Sequence, residues 1–266
     1  MYMTIQDEIR SFLPPDCSIG CEILHFREID STNRLAKELA AQGAPSGTVL
    51  LADRQTAGRG RMGKSFHSPE GGLYLSVLLR PALPLSDLMA ATACAAAAVH
   101  SALCECGVMT KIKWVNDLFL HERKICGILC EGGFPPQGTQ MDYLIVGIGL
   151  NLTKDANLPA ELVPIVTDIA TETGLHLSKS AVTAQILQKL DEYITHLPER
   201  SFLPEYTAHS YTLGKRVVVS RVLSGNVSRE TIGTAVGFSQ DAGLIVEFED
   251  GVREVILSGT AVFADN

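Results

Sequence analysis

The stretch TAGRGRMGKSF, residues Thr56–Phe66, matches two different phosphate-loop patterns. Residues 58–65 read G-x-x-x-x-G-K-S, which is the P-loop pattern, and residues 58–63 read G-x-G-x-x-G, which is the dinucleotide-binding pattern. Both patterns require a helix directly after the loop. The N-terminal N–H groups of that helix bind the phosphates, and in the dinucleotide fold the third glycine packs the helix on the sheet. The residues after Ser65 therefore decide between the patterns.

Those residues read FHSPEGG, and Pro69, Gly71 and Gly72 prevent a helix from starting and continuing there. The run TVLLADRQ (Thr48–Gln55) before the loop and LYLSVLL after it are both typical of strands. The sequence thus predicts a strand–loop–strand unit, and both phosphate-loop matches are coincidental.

The loop itself carries three glycines, two arginines and a lysine. Glycine lets the backbone approach a ligand closely, and arginine binds carboxylates or phosphates with two parallel donors. We expect the loop to be mobile when empty and ordered over an anionic ligand. The alternative is a solvated surface loop with incidental basic residues.

The composition describes an ordinary globular protein of 266 residues, 46% hydrophobic and 20% charged, with a net charge of −8. This acidic balance argues against general nucleic-acid binding, which needs a broad basic face. The charge reverses locally in one place. The stretch that contains Asp53, Arg54, Arg59, Arg61 and Lys64 has four positive charges and one negative.

The lack of a signal-peptide pattern and the distribution of cysteines predict a cytoplasmic protein. The N-terminus lacks a basic segment followed by an apolar run, so no signal peptide is expected. The seven cysteines form no C-x-x-C, and the histidines do not cluster with them along the sequence. We therefore expect reduced, mostly buried thiols and no metal–thiolate site.

The segment LMAATACAAAAVHSALCECG (Leu88–Gly107) could be mistaken for a membrane span. It is rich in alanine, and His100 and Glu105 interrupt it. We predict a close-packed core helix that Ser86 caps, and no membrane association.

The remaining patterns indicate a chain of mixed elements. A helix is predicted from STNRLAKELAAQG, capped by Ser31 or Thr32, and further helices at 160–173 and 180–197. Strands are predicted at 110–114, 124–132 and 142–151, the first two joined by a hairpin-like VNDLFLHER. From about Leu213 short strands alternate with turns, as in a small β-barrel, so we divide the chain into domains 1–210 and 211–266.

Polar residues follow the apolar strands, and sites are commonly built at such positions. KIKWVND carries Trp114, Asn116 and Asp117, while Lys124 opens one strand and Asn151 ends another. Each residue also has a simpler structural interpretation. Trp114 could be core, Asn116 and Asp117 a turn, Lys124 a solvated strand start and Asn151 a cap.

Taken in order, five motifs resemble the catalytic module of biotin–protein ligases. They are DSTN (30–33), Q-x-AGRGR-x-G (55–63), KW-x-ND (113–117), RK-x-x-GIL-x-E (123–131) and GIG-x-N (147–151). The resemblance spans nearly the whole chain. It implies an α+β fold in which a mixed or antiparallel sheet packs with helices, as in class II synthetases, followed by a small SH3-like β-barrel.

The resemblance also implies a two-step acyl transfer that uses ATP and Mg²⁺, with biotin as substrate. The biotin carboxylate attacks the α-phosphate of ATP to give biotinyl-5′-AMP and pyrophosphate, and a lysine of a biotin carboxyl carrier protein domain then displaces AMP. A lipoate–protein ligase of the same fold is the nearest alternative, although its loop normally reads R-x-S-G-G-G. The other is a non-catalytic ligand-binding module.

Residue by residue, the resemblance implies one set of binding positions: Ser31, Thr32, Asn33, Gln55, Gly58, Arg59, Gly60, Arg61, Phe66, Asn116, Lys124, Gly127 and Asn151. Ser31 and Thr32 would bind the ureido ring of biotin with Asn33 beside them, and Gln55 and Gly58 would line that pocket.

The implied catalytic residues are Lys124, Arg59, Arg61 and Lys113. Lys124 would be the main electrostatic catalyst on the carboxylate and α-phosphate, with Lys113 as a second cation. Arg59, Gly60 and Arg61 would cover the carboxylate and the adenylate phosphate.

At the strand ends, Asn151 would contact the adenine edge. Asn116 and Asp117 would organise their strand end, with Asp117 either holding Mg²⁺ through water or only forming a turn.

This chain departs from the family pattern at three positions. Phe66 stands where relatives usually carry a tryptophan that packs on adenine. Because phenylalanine can still stack, we expect this difference to affect the affinity for ATP more than the chemical step. Lys64 replaces an arginine, which is a smaller change. Val115 replaces a proline, and we expect an extended strand to tolerate this replacement. About thirty residues precede Ser31, too few for the winged-helix domain of the repressor forms, so no DNA binding is expected. A homodimer through a sheet edge is possible in this family.

Overall fold

A seven-stranded mixed sheet carries the candidate site in the computed structural model, which describes residues 3–84, 87–135, 140–223, 227–257 and 262–264. Its strands are β1 (Glu22–Ile29), β2 (Thr48–Gln55), β3 (Gly72–Leu79), β4 (Lys111–Lys113), β5 (Asp117–Leu120), β6 (Arg123–Gly133) and β7 (Tyr143–Asn151). They lie in the order β1-β2-β3-β7-β6-β5-β4, with β1 and β2 parallel and the other neighbours antiparallel.

Helices cover both faces of this sheet. They are α1 (Ile5–Phe12), α2 (Thr32–Ala41), α3 (Leu88–Glu105), α4 (Ile169–Thr173), α5 (Lys179–Thr195) and α6 (Leu203–Ala208). On one face Ala36 and Ala40 of α2 pack against Leu50 and Leu78. On the other face, Val49 and Leu51 of β2 pack in the larger hydrophobic cluster that includes residues of α3 and α5. Strand β3 is buried along its whole length, which explains its nearly continuous apolar run.

Helix α3 confirms the predicted core helix. By length and composition alone it could cross a membrane, but 72% of its residues are buried within the fold. Its alanines leave room for α5 to approach closely, which larger side chains would prevent. The predicted cap Ser86 lies outside the described residues, and Asp87 precedes the helix without a capping side-chain hydrogen bond.

Three local predictions need correction. The helix predicted at 160–173 is reduced to Ile169–Thr173, because Pro164 interrupts the segment and the helix begins after the capping Asp168. The strand predicted at 110–114 ends at Lys113, and Val115 follows a cis peptide in a turn instead of an extended strand. Helices α1 and α6 were not expected from the sequence.

A second, five-stranded antiparallel sheet contains β8 (Arg216–Leu223), β9 (Val227–Phe238), β10 (Leu244–Phe248), β11 (Arg253–Ile256) and β12 (Val262–Phe263). Their order is β11-β10-β9-β8-β12. The predicted SH3-like closure of this unit and the boundary at residue 210 stay predictions. Its apolar residues, such as Val217 and Leu244, join the same core cluster as the main sheet. The Trp114 indole Nε1 donates to the Ala242 carbonyl oxygen at 2.9 Å.

Candidate functional site

A cleft beside the central strands collects most of the residues predicted for the site. It contains about 930 Å³ of empty space, including its open mouth. Its walls come from the start of α2, the loop between β2 and β3, the β4–β5 turn and the middle of β6 and β7. The predicted residues that line it are Ser31, Thr32, Asn33, Gln55, Arg59, Gly60, Arg61, Phe66, Lys113, Asn116, Asp117, Lys124 and Gly127.

One part of the cleft is a buried polar pocket at the N-terminus of α2. Ser31 caps the helix by accepting a hydrogen bond from the Arg34 backbone N–H at 3.4 Å. The Thr32 backbone N–H and hydroxyl both donate to Gln55 Oε1, at 2.9 and 3.1 Å. The Gln55 amide in turn donates to the Ser68 hydroxyl at 3.1 Å. These bonds hold Gln55 and Thr32 in fixed orientations against the cleft.

Ser76 is a member of this pocket that the sequence analysis missed. Its buried hydroxyl lies 2.7 Å from Thr32 Oγ1 and 2.6 Å from Asn33 Oδ1. Because a hydroxyl has one hydrogen, it donates to one of these oxygens at a time. The signal was present, since Ser76 is the only serine in the apolar run LYLSVLL.

Asn33 is held from a second direction. Its amide donates to Glu131 Oε2 at 2.9 Å, and Glu131 also pairs with Lys37. A Cβ on Gly147 would lie 2.7 Å from Asn33 Cγ, so only glycine fits opposite this side chain. Gly147 belongs to the GIG-x-N motif and lines the cleft.

The loop at residues 56–66 forms a short hairpin over the cleft. The Gly60 N–H donates to the Lys64 carbonyl at 2.7 Å, and the Phe66 N–H donates to the Gly58 carbonyl at 2.9 Å. Met62 and Gly63 turn the chain with left-handed φ values of 56° and 74°. Residues 64–71, all of which the structure describes, contain no helix. The strand–loop–strand prediction is confirmed, and neither phosphate-loop pattern applies.

Gly58 is buried near the start of this loop and is not among the residues that line the cleft. A Cβ there would lie 2.5 Å from Ser68 Oγ and 3.2 Å from Gln55 Nε2. Glycine at this position therefore lets the loop close against Gln55.

Three half-buried cations and one carboxylate line the other part of the cleft, with the exposed Arg59 and Lys64 beside them. The Lys124 ammonium lies 2.7 Å from Asp117 Oδ1, as an ion pair without the alignment of a hydrogen bond. Burial lowers the pKa of Lys113, against the opposing effect of Asp117. Burial likewise lowers the pKa of Arg61. The local excess of positive charge suits an anionic ligand.

Arg61 and Asn116 are coupled. The guanidinium Nη1 donates to Asn116 Oδ1 at 3.0 Å, and the Asn116 amide donates to the Ile128 carbonyl at 2.8 Å. The loop is thereby connected to strand β6. Arg59 also lines the cleft, but it is exposed.

The Phe66 ring lies across two glycines of the sheet. A Cβ on Gly149 would lie 2.7 Å from Phe66 Cζ, and a Cβ on Gly127 would lie 2.8 Å from Phe66 Cε2. The Lys124 ammonium is 5.6 Å from the ring centroid. An aromatic platform and a cation thus border the same space.

Three residues of the strand-end group make contacts that the structure defines. Trp114 is 3% exposed and is a core residue, in agreement with the simpler structural interpretation of this residue. Asn151 ends β7 outside the lining of the cleft, and its amide donates to the Thr167 carbonyl at 2.9 Å. Its contact with adenine stays a prediction. Asp117 opens β5 and points its carboxylate to Lys124, so it does more than form a turn.

Sequence comparison adds an independent observation to this geometry. Residues 25–151 match the Biotin/lipoate A/B protein ligase family. Over 259 residues the chain is 34% identical to the "Bifunctional ligase/repressor BirA" of Bacillus subtilis, an alignment that covers 94% of this chain and 76% of that one. The chain belongs to the biotin–protein ligase family.

Other relatives agree with membership in the biotin–protein ligase family. The "Biotin--[acetyl-CoA-carboxylase] ligase" of Paracoccus denitrificans is 30% identical, over 88% of this chain and 97% of that one. The solved "Biotin protein ligase from Aquifex aeolicus in complex with biotin and ATP" superposes with a TM-score of 0.74 at 30% identity, covering 91% of this chain and 98% of that one. The α+β fold predicted from the sequence is the fold of this family.

Proposed function

We propose that this chain is the ATP-dependent ligase that activates biotin as biotinyl-5′-AMP and transfers it to a lysine of a carrier domain. One observation carries the proposal. A buried pocket of hydroxyl and amide groups and a cluster of cations, three of them half-buried, line the same cleft. A substrate with a polar ring and a carboxylate, joined to a nucleotide phosphate, would use both parts.

The polar pocket suits the ureido ring of biotin. That ring offers two N–H donors and one carbonyl acceptor in a plane, and Ser31, Thr32 and Asn33 supply hydroxyl and amide partners. Because Gln55, Ser76 and Glu131 already orient these side chains, little rotamer entropy is lost on binding.

The cations suit the first chemical step. In it, a carboxylate oxygen of biotin bonds to the α-phosphorus of ATP while the bond to pyrophosphate breaks. Both reactants are anionic, so Lys124, Lys113 and Arg61 would hold them together and stabilise the charge that develops on the phosphate. Arg59, Gly60 and Arg61 lie in a hairpin that would shield the mixed anhydride from water.

The nucleotide would lie against Phe66. Its ring would stack on adenine in place of the usual tryptophan, with Asn151 at the adenine edge. Mg²⁺ would accompany the ATP phosphates. A single carboxylate with several waters is a normal magnesium environment, so Asp117 fits as a ligand through water.

The second step would consume the adenylate. A lysine amine of the carrier domain attacks the acyl carbon, AMP leaves, and the amine proton is released. The name of the Paracoccus denitrificans relative supports a biotin-dependent carboxylase as the source of this carrier. Cytoplasmic location, a homodimer and the absence of DNA binding, in line with the net charge of −8, stay predictions.

Biotin-dependent ATP–pyrophosphate exchange tests this proposal. We expect exchange with biotin and ATP in the presence of Mg²⁺, and none with lipoate in place of biotin. Exchange with lipoate alone would move the function to lipoate ligation. Binding of biotin without exchange would indicate a non-catalytic module.

Lys124→Ala tests the assigned catalyst. We expect exchange to fall by about 10²–10³-fold, the usual loss when one preorganised electrostatic group is removed. Lys111→Ala is the matched control, because Lys111 is exposed at the start of β4 and lies outside the cleft lining. Unchanged exchange in a folded Lys124→Ala protein would refute the role of Lys124.

A further inference from the structure

Three metal-ligating side chains meet outside the cleft, between helices α3 and α6. His100 lies on α3, and Glu205 and His209 stand four residues apart on α6 and its C-terminal cap. Residues four apart on a helix share one face. Helix α6 therefore presents a pair of ligands to His100.

The ligand atoms have the spacing of a coordination sphere. Glu205 Oε1 lies 3.5 Å from His100 Nε2 and 3.4 Å from His209 Nε2, and these three residues offer ligand atoms that are all within 4.8 Å of one another. Cys104 Sγ lies 3.4 Å from His100 Nε2 and 3.9 Å from its Nδ1, so it packs beside the ring and is not one of the three ligands. In a tetrahedral zinc site with bonds of about 2.0–2.1 Å, neighbouring ligand atoms are about 3.3–3.4 Å apart.

A simple hydrogen-bonded histidine pair explains this geometry less well. The two contacts to one oxygen of Glu205 are longer than the 2.7–3.2 Å usual for N–H···O bonds. The two imidazole rings also pack against each other, with centroids 4.2 Å apart and planes tilted by 37°. The long contacts to Glu205 leave the three ligand atoms far enough apart for an ion to lie between them.

The surroundings of His100 match those of a metal-bound imidazole. Its Nδ1 lies 2.7 Å from the buried Thr110 hydroxyl. A partner at one ring nitrogen orients the ring and directs the other nitrogen, here Nε2, to the metal. The side chain of His100 is fully buried, whereas those of Glu205 and His209 are 37% and 31% exposed, so an ion can enter from their side.

We propose that this cluster binds one divalent transition-metal ion of the zinc class through His100, His209 and Glu205, with water completing the coordination sphere. The ion would cross-link α3 to α6. The His209 carbonyl accepts a hydrogen bond from the Ile112 N–H at 2.8 Å, so the link would extend to strand β4. The site was not predicted from the sequence, because His100 is far from Glu205 and His209 along the chain.

Metal titration of the full chain, without a polyhistidine tag and first freed of metal by a chelator, tests the site. We expect one Zn²⁺ per chain, and a rise in Tm of about 5–10 °C at saturating metal, as linkage predicts for binding to the native state. Glu205→Gln and His209→Asn should each weaken binding at least tenfold. His176→Asn is the control, since His176 is exposed and outside the cluster.

Co²⁺ in place of Zn²⁺ tests the ligand set. We expect the visible absorption of a tetrahedral ion and no thiolate charge-transfer band, and Cys104→Ser should bind as the unchanged protein does. The site is refuted if stoichiometric binding is absent, or if Glu205→Gln and His209→Asn bind Zn²⁺ as tightly as the control. A thiolate charge-transfer band that Cys104→Ser removes would refute this ligand set. The buried His100 is left unchanged, so that loss of folding does not confuse these outcomes.

Discussion

Substitution of Gly149 by alanine tests whether the sheet glycines exist to seat the Phe66 ring. The new Cβ would lie 2.7 Å from Phe66 Cζ, whereas carbon atoms in contact are normally about 3.5–4.0 Å apart. The ring must therefore move by about 1 Å. Overpacking of this kind costs about 1–3 kcal/mol of unfolding free energy.

The loss should be visible in two assays. At about 2–4 °C per kcal/mol for a chain of this size, Tm should fall by several degrees. If the ring contacts adenine as proposed, KM for ATP in the exchange reaction should rise about tenfold, which corresponds to about 1.4 kcal/mol of lost binding. KM for biotin should change much less, because the displaced ring is assigned to the nucleotide.

A double-mutant cycle shows whether the effect passes through Phe66. In a Phe66→Ala background the same Gly149→Ala change has no ring to displace, so most of its cost should disappear. Gly237→Ala is the control, because a Cβ at that strand glycine would meet Ile245 Cδ1 at an ordinary 3.6 Å. Equal losses with and without Phe66, or no loss in either background, would refute the reasoning.

Three further predictions concern other parts of the molecule. Arg61→Gly removes a half-buried guanidinium from the loop, so biotinyl-5′-AMP should leave the enzyme and appear in the filtrate when the protein is removed by ultrafiltration. If the enzyme retains as much biotinyl-5′-AMP as the unchanged protein, shielding by the loop is contradicted. Trp114→Phe leaves the Ala242 carbonyl without its donor and should lower the unfolding free energy in urea by about 1–3 kcal/mol. The pKa of Glu172 lies below its usual 4.5, chiefly because the Thr167 hydroxyl donates a hydrogen bond to the carboxylate. The ionised carboxylate therefore stabilises the fold above pH 4.5, and this stabilisation is lost as the pH falls through the lowered pKa. Glu172→Gln should flatten this acid limb in melts between pH 7 and 3, and an unchanged limb would contradict the assignment.

Local chemistry explains why the strand–loop–strand unit could be predicted. Pro69 and the two glycines after it act on their own backbone, so they exclude a helix whatever surrounds them. The limits of strand β2 were predicted at Thr48 and Gln55, where the structure has them. The helix predicted at 160–173 was wrong for a related reason, since Pro164 excludes a continuous helix across that segment.

Most of the candidate site was also accessible from the sequence, because its polar residues stand at the ends of apolar runs in five ordered motifs. Lys113, Asn116 and Lys124 were expected near the loop and do line the same cleft. Ser76 was missed, because a serine within a buried strand looks like any tolerated small residue until its partner is known.

By itself, the sequence determined the type and order of the elements and the chemistry of the loop, since these depend on residues that are neighbours along the chain. Only the tertiary structure decided which distant residues meet. Asn33 reaches Glu131 across 98 positions, Phe66 lies on Gly149, and His100 faces His209. The physical reason is that strand order and helix packing bring these groups together, and no local propensity encodes a distance between them.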